Sequence, residues 1–284
     1  MFNIKIYLER AEQSPILIDT KNWLFPGGEV GIKLLDNNLQ FKYAEFDFVT
    51  IDARVRNSND LFAIALVQNA IQELTDKPIN LFLPYLPYAR QDRICDNGES
   101  FSLKVVINYL NSLKFNRITV VDPHSDVTPA LIDNVKVVTQ LEIIHNNNAL
   151  KNRILELKPI LISPDAGANK KTAKIAGYFG HREFVRADKL RNLTNGDILE
   201  TIVYKDDFNG LNVAVFDDIC EKGGTFIALA KILKQKNVGK ILLFVTHGLF
   251  SGDMNLLYNS GIDEIWTTNS YRDDLDSRIN IIKI

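Results

Sequence analysis

Short apolar runs that stop at a polar or acidic residue and lead into helix-patterned segments recur along most of the 284 residues. Ile79–Leu83 stops at Pro84, Arg117–Val121 at Asp122, Ile160–Ser163 at Pro164–Asp165, and Lys240–Thr246 at His247. Runs of four to eight residues that are mostly apolar, rather than strictly alternating, suit strands buried on both faces, and intervening helices are what parallel strands need to connect. The pattern therefore predicts an α/β fold with mostly parallel sheets covered by helices.

Further strands are expected at Asn3–Leu8, Val49–Ala53, Leu211–Phe216 and Ile262–Thr267. Helices are expected at Asp60–Thr75, where Leu61, Ile64, Ala65 and Ala70 share the apolar spacing, at Ser102–Leu113 and Thr225–Lys236, and from Lys170 to Ala176. Asn146–Asn148 is a polar interruption before a Leu150–Leu157 helix; it reads as a cap or as a hinge. The chain is about twice the size of a modest domain, so two lobes are expected, 1–140 and 141–284.

A hydrophobic fraction of 46% with 24% charged residues is enough for a packed core without metal or disulfide staples. With 33 Lys plus Arg against 35 Asp plus Glu, the chain lacks the basic excess of a general nucleic-acid binder, so cations must be argued site by site. Cys95 and Cys220 are too few and too far apart for a structural metal site, and fit a reducing compartment. No run approaches the roughly 20 apolar residues of a membrane span. The expectation is a cytoplasmic protein, in the host cytoplasm if phage-encoded, without nucleic-acid or membrane partners.

Four segments carry chemistry. In Val215-Phe216-Asp217-Asp218-Ile219-Cys220-Glu221-Lys222-Gly223-Gly224-Thr225 a strand delivers two carboxylates and a glycine turn then opens a helix. Carboxylates can hold sugar hydroxyls, directly or with magnesium, and free helix-end N–H groups can hold phosphate oxygens. A capped junction with solvated aspartates is the plainer reading, and the spacing is not that of a nucleotide P-loop. Pro84–Arg93 places Arg90 and Arg93 where they could chelate phosphate, or could simply be solvated. Val121-Asp122-Pro123-His124 and Ser163-Pro164-Asp165 put a histidine and a carboxylate at strand ends, where α/β proteins bind ligands and metals, although either residue could instead serve loop packing. In Arg186–Arg191, Lys189 and Arg191 share a side only if the segment is extended; a charged surface loop is the alternative.

Taken in order, Phe25-Pro26-Gly27-Gly28-Glu29, Tyr88–Arg93, Val121–His124, Ser163–Asp165, Asp188–Arg191, Asp217–Thr225 and Thr246–Gly252 resemble the ribose-phosphate pyrophosphokinase (PRPP synthetase) family over nearly the whole chain. The resemblance implies two related phosphoribosyltransferase-like lobes, ATP as diphosphoryl donor, Mg2+, and a homodimer or higher homo-oligomer. Phe25 and Glu29 would contact adenine, reaching into a neighbouring subunit, while Arg90, Gln91, Asp92 and Arg93 would position ATP. His124 and Asp165 would bind the metal, and His124, Lys189 and Arg191 would act on the reacting phosphates. Asp217 and Asp218 would hold the ribose hydroxyls, with Glu221, Lys222, Gly223, Gly224 and Thr225 around the 5-phosphate. The implied reaction moves the β,γ-diphosphoryl group of ATP to an anomeric hydroxyl, leaving AMP.

Departures from the family pattern bear on the acceptor. Pro26-Gly27 lacks an acidic side chain that the family usually has near adenine, and Glu221-Lys222 puts a long cation where a small hydroxyl is usual. Asp96 and Glu99 replace bases common in bacterial members, and the chain has a shorter tail. Ribose 5-phosphate is the expected acceptor. ADP-ribose, used by a branch associated with phage NAD+ restoration, is the alternative. A phosphoribosyltransferase and a non-catalytic regulatory homologue are the remaining readings.

Overall fold

The computed structural model describes residues 3–35, 40–181, 183–191 and 198–284. By spatial clustering the chain forms two compact units, Met1–Val138 and Thr139–Ile284.

The first unit runs β1 (Asn3–Glu9), β2 (Ile16–Ile18), β3 (Thr20–Leu24), β4 (Val30–Leu34), α1 (Gln40–Tyr43), β5 (Phe48–Arg54), α2 (Ser58–Gln72), β6 (Ile79–Leu83), α3 (Ser102–Ser112), β7 (Arg117–Val121), α4 (Val127–Leu131) and β8 (Val135–Val138). Its main sheet has the order β2-β1-β5-β6-β7-β8, with β5 to β8 parallel and β1 antiparallel to both neighbours. Strands β3 and β4 form a separate antiparallel ribbon. Ile51, Leu81, Leu83, Ile64, Val67 and Ile107 are fully buried where helices meet the sheet.

The second unit runs α5 (Gln140–Asn146), α6 (Asn148–Leu157), β9 (Ile160–Ser163), α7 (Asn169–Tyr178), β10 (Val185–Arg191), β11 (Ile198–Val203), β12 (Val213–Cys220), α8 (Gly224–Gln235), β13 (Ile241–Gly248), α9 (Met254–Asn259), β14 (Glu264–Thr268) and β15 (Asn280–Ile282). The sheet order is β11-β10-β9-β12-β13-β14-β15, parallel except for the β10–β11 pair. Every residue of β13 is buried, as expected of a central parallel strand covered on both faces. The expected α/β class, with mostly parallel sheets covered by helices, is the one observed. Among the described residues no helix is long and apolar enough to cross a membrane.

The strand and helix expectations hold in position, with differences at the ends. Strand β12 does not stop at Phe216; it continues through both aspartates because β13 pairs with it as far as Cys220↔Gly248. Asn147 is a cap: its side chain accepts the Leu150 N–H at 2.9 Å and starts α6. Strands β2, β3, β4, β8, β11 and β15 were not expected. They are short or lie at edges and ribbons, where half-exposed side chains give no continuous apolar run.

Phe216 and Phe244 are in register on β12 and β13, fully buried, and meet edge to face with ring centroids 6.4 Å apart. The backbone ladder sets the spacing of these two strands, and the ring pair packs one face of the strands that carry Asp217 and Thr246. Phe244→Ala should therefore lower unfolding free energy by about 3–5 kcal/mol in urea denaturation; a loss below about 1 kcal/mol would contradict tight packing here.

Candidate functional site

In the second unit the chain leaves β9 for β10 on one side of the sheet and returns as β12 on the other. The C-terminal ends of β9 and β12 therefore flank a topological switch point, the place where an open α/β sheet leaves a crevice for ligand. Asp165 follows β9 directly, and Asp217 and Asp218 lie near the end of β12.

Asp218 is buried, at 7% exposure, and its backbone N–H donates to Asp217 Oδ1 at 2.9 Å. The Asp217 carbonyl accepts Gln140 Nε2–H at 2.6 Å, and the same nitrogen lies 2.9 Å from Thr246 Oγ1. The first residue of α5 thus ties the carboxylate-bearing strand to its neighbour. Burial pushes the Asp217 carboxyl well above the ordinary range, the Asp218 charge and hydrogen bond and the Asp165 charge push it further, and Lys171 opposes them. Such accumulated negative charge favours a proton, hydroxyl donors or a cation. Asp165 moves the other way: burial raises it, but the Lys189 ammonium and the Ala168 and Gly167 N–H groups outweigh burial and hold it below the usual value.

The glycine turn is built for close approach. Gly223 has φ +83°, in the left-handed region, and a Cβ there would run into Leu257. A Cβ on Gly252 would come within 2.8 Å of the Lys222 carbonyl oxygen. Leu249 N–H donates to the Cys220 carbonyl at 2.9 Å and Ser251 N–H to the Glu221 carbonyl at 3.0 Å. The segment after β13 therefore holds the turn that opens α8, while Glu221, Lys222 and Gly224 are exposed and Thr225 is half-buried. The 12-residue α8 begins at Gly224 without a side-chain cap from Gly223, so the positive end of its dipole faces the turn.

The segment bearing Lys189 is extended, as one of the two readings required: it is β10, paired with β11 so that Lys189 opposes Thr201. Lys189 is ion-paired with Asp165, and Asp188 accepts the Tyr204 hydroxyl at 2.8 Å. The backbone of Arg191 ends β10, but its side chain and residues 192–197 lie outside the described residues.

In the first unit the segments after β6 and β7 leave the same sheet edge. Val121 N–H donates to the Pro84 carbonyl at 3.3 Å, linking them. Tyr88 has φ +63°, its carbonyl accepts Gln91 N–H at 2.9 Å, and the Gln91 carbonyl accepts Leu103 N–H at 3.2 Å, pinning the loop to α3. Arg90, Gln91, Arg93 and His124 are exposed and Asp92 is half-buried. Phe25 and Glu29 are exposed at the tip of the β3–β4 ribbon. His124 belongs to the first unit and Asp165 to the second.

Sequence reading did not single out Gln140, Lys171, or the buried pair Asp52–Arg54 at the end of β5, whose guanidinium lies 5.3 Å over the Phe82 ring. Gln140 and Lys171 act through tertiary contacts that leave no local signal. Asp52 and Arg54 could have been found from their two-residue spacing on one strand. The Cys220 thiol is pushed up to about 12 by burial, then by Asp217 and Glu221, so it is protonated and no nucleophile at neutral pH.

Parallel sheets with carboxylates at a switch point and a glycine turn opening a helix define the α/β class that receives ligands at its strand ends. Known proteins narrow this. A sequence family described as the phosphoribosyl synthetase-associated domain matches residues 200–284. The ribose-phosphate pyrophosphokinase of Aquifex aeolicus is 30% identical over 215 residues, covering 75% of this chain and 68% of its own. That of Pyrococcus furiosus is 26% identical over 284 residues, covering 96% and 93%. The crystal structure of phosphoribosylpyrophosphate synthetase from Mycobacterium smegmatis superposes with a TM-score of 0.78 at 22% identity, covering 94% of this chain and 86% of that one, a likeness of fold. The chain belongs to the ribose-phosphate pyrophosphokinase family.

The raised Asp217 carboxyl has a consequence for stability. Its folded pKa lies above the unfolded value near 3.9, so its contribution is complete below that pH and is lost as pH rises through the folded pKa. Asp217→Asn should melt several degrees higher than the parent at pH 7.5, and the difference should shrink toward pH 4. Scanning calorimetry at both pH values checks this; equal melting at pH 7.5 would mean that Asp217 is not under charge stress.

Proposed function

We propose that the protein transfers the β,γ-diphosphoryl group of ATP to the anomeric hydroxyl of ribose 5-phosphate, giving PRPP and AMP. Family membership supports the class of chemistry. The single observation that supports the acceptor side is the stressed Asp217 carboxyl beside Asp218, followed within one segment by the uncapped glycine start of α8, which together suit sugar hydroxyls and a phosphate.

In this reading Asp217 and Asp218 hold the ribose hydroxyls, and the Glu221–Thr225 turn with the first N–H groups of α8 holds the 5-phosphate. Arg90, Gln91, Asp92 and Arg93 orient the triphosphate, and Phe25 and Glu29 from a neighbouring subunit meet the adenine. The anomeric oxygen attacks the β-phosphorus, the bond from that phosphorus to the α,β-bridging oxygen breaks, and AMP leaves with that oxygen. The proton of the attacking hydroxyl passes to solvent or to the Asp217 carboxylate. Lys189 leaves Asp165 for the transferring phosphates, joined by Arg191, so charge is met as it develops.

Magnesium fits the residues present. The Asp218 and Asp165 charges push the Asp217 carboxyl up, which a cation would relieve, yet among the described residues no three His, Cys, Asp or Glu groups converge to hold an ion alone. This suits Mg2+, which keeps water and takes phosphate oxygens alongside one or two protein carboxylates. Asp165 and His124, the ligands that the family likeness implies, would hold it, and it would supply charge neutralisation on the diphosphoryl oxygens.

One observation favours ADP-ribose as a second acceptor: Lys222 is exposed beside the phosphate turn, where a long cation suits a diphosphate extension. Incubation with ATP, Mg2+ and either sugar, read by mass spectrometry, should give AMP and an acceptor heavier by one diphosphoryl group with ribose 5-phosphate. Modification of ADP-ribose alone would move the assignment to that acceptor. ADP as co-product, or no transfer to either, would reject the reaction, the latter being the outcome for a regulatory homologue. Lys189→Ala should lower turnover by about 10²-fold or more while the melting temperature moves little; unchanged turnover would remove Lys189 from the mechanism.

A further inference from the structure

The β3–β4 ribbon holds an aromatic side chain, Trp23, that the reaction above leaves unused. Its register pairs Trp23 with Gly31 and Leu24 with Val30, and Phe25 N–H donates to the Glu29 carbonyl at 2.8 Å. Side-chain alternation then puts Trp23, Phe25, Glu29 and Gly31 on one face. The tip closes as a three-residue loop: Gly28 N–H donates to the Phe25 carbonyl at 2.8 Å, and Gly28 takes the left-handed position at φ +90°.

Gly31 is where the indole sits. A Cβ at this position would overlap Cε2 and Nε1 of Trp23, so the ring occupies the space a side chain would need. From that seat Trp23 meets Phe25 edge to face, with ring centroids 5.8 Å apart and planes at 73°. Both rings remain accessible, at 36% and 46%. A two-stranded ribbon has no core of its own to fix an exposed phenylalanine, and an edge-to-face partner supplies the missing restraint.

We infer that Trp23 is a positioning residue for donor recognition: seated on side-chain-free Gly31, it fixes the Phe25 ring so that a face of it is presented to the adenine of ATP. The inference rests on the assignment of Phe25 to adenine under the proposed function. Glu29 extends from the same face, so ring and carboxylate would be presented together.

The test uses the full-length protein, with the ATP–Mg2+ dissociation constant from titration calorimetry and kcat and KM from AMP formation. Phe25→Ala should weaken ATP about tenfold, the scale of a lost base–aromatic stack. Trp23→Ala should weaken it about threefold to tenfold, with kcat within about twofold, while Trp23→Phe should restore most of the affinity. In a Phe25→Ala background Trp23→Ala should add nothing. Gly31→Ala, which leaves the indole intact but displaces it, should reproduce the Trp23→Ala loss and be silent once Trp23 is alanine. This variant also carries the test if Trp23→Ala does not fold. Unchanged ATP affinity in Trp23→Ala or Gly31→Ala, or losses that multiply with that of Phe25→Ala, would overturn the inference while leaving Phe25 in place. Unchanged affinity in Phe25→Ala would instead remove the adenine assignment, and this inference with it.

Discussion

The parallel register of β9, β12 and β13 is the constraint on which the candidate acceptor site depends. Val213 pairs with Ile160 on one side and Ile241 on the other, and from there the ladder to β13 runs on past Asp217. Parallel strands deliver their C-terminal ends to one edge. A carboxylate after β9, two near the end of β12 and a threonine near the end of β13 are thereby gathered by backbone geometry. The hydrogen-bond ladder fixes how far apart the strands stand, and the apolar interior, with Phe216 against Phe244, covers the sheet.

Gathering like charges at one edge stresses them, and the surrounding structure absorbs that stress unevenly. Asp165 is relieved by Lys189 and by two backbone N–H groups, whereas Asp217 faces Asp218 and is pushed up despite the opposing Lys171 charge. Removing this stress would stabilise the fold, so its persistence fits a site that waits for a ligand to complete it. The turn beside it is held by a different means. Gly223 and Gly252 allow backbones to approach, and carbonyls of Cys220 and Glu221 are tied to the segment after β13. The Glu221 and Lys222 side chains are exposed, and the contacts that hold the turn are made by the backbone.

Much of this was legible in the residues. Ile79–Leu83, Arg117–Val121 and Ile160–Ser163 are strands because short, mostly apolar runs of that length are best covered within a sheet. What was not legible came from pairing at a distance. Asp217 and Asp218 read as the start of a loop, yet lie in a strand because β13 offers them partners. Arg186–Arg191 allowed either a strand or a loop, and its antiparallel partner β11 decided it. Trp23 carries no meaning until Gly31 is placed opposite it.

By itself the sequence determined the α/β class, the strand ends at which chemistry is placed, and the family likeness, because these rest on local patterns of apolar, acidic and glycine residues. Only the tertiary structure decided which charges share an edge, that Lys189 rests on Asp165, that Gln140 fixes the Asp217 peptide, and that an indole occupies the space above Gly31. The physical reason is that electrostatic stress, buried hydrogen bonds and close packing depend on distance through space, whereas the amino-acid order specifies only distance along the chain.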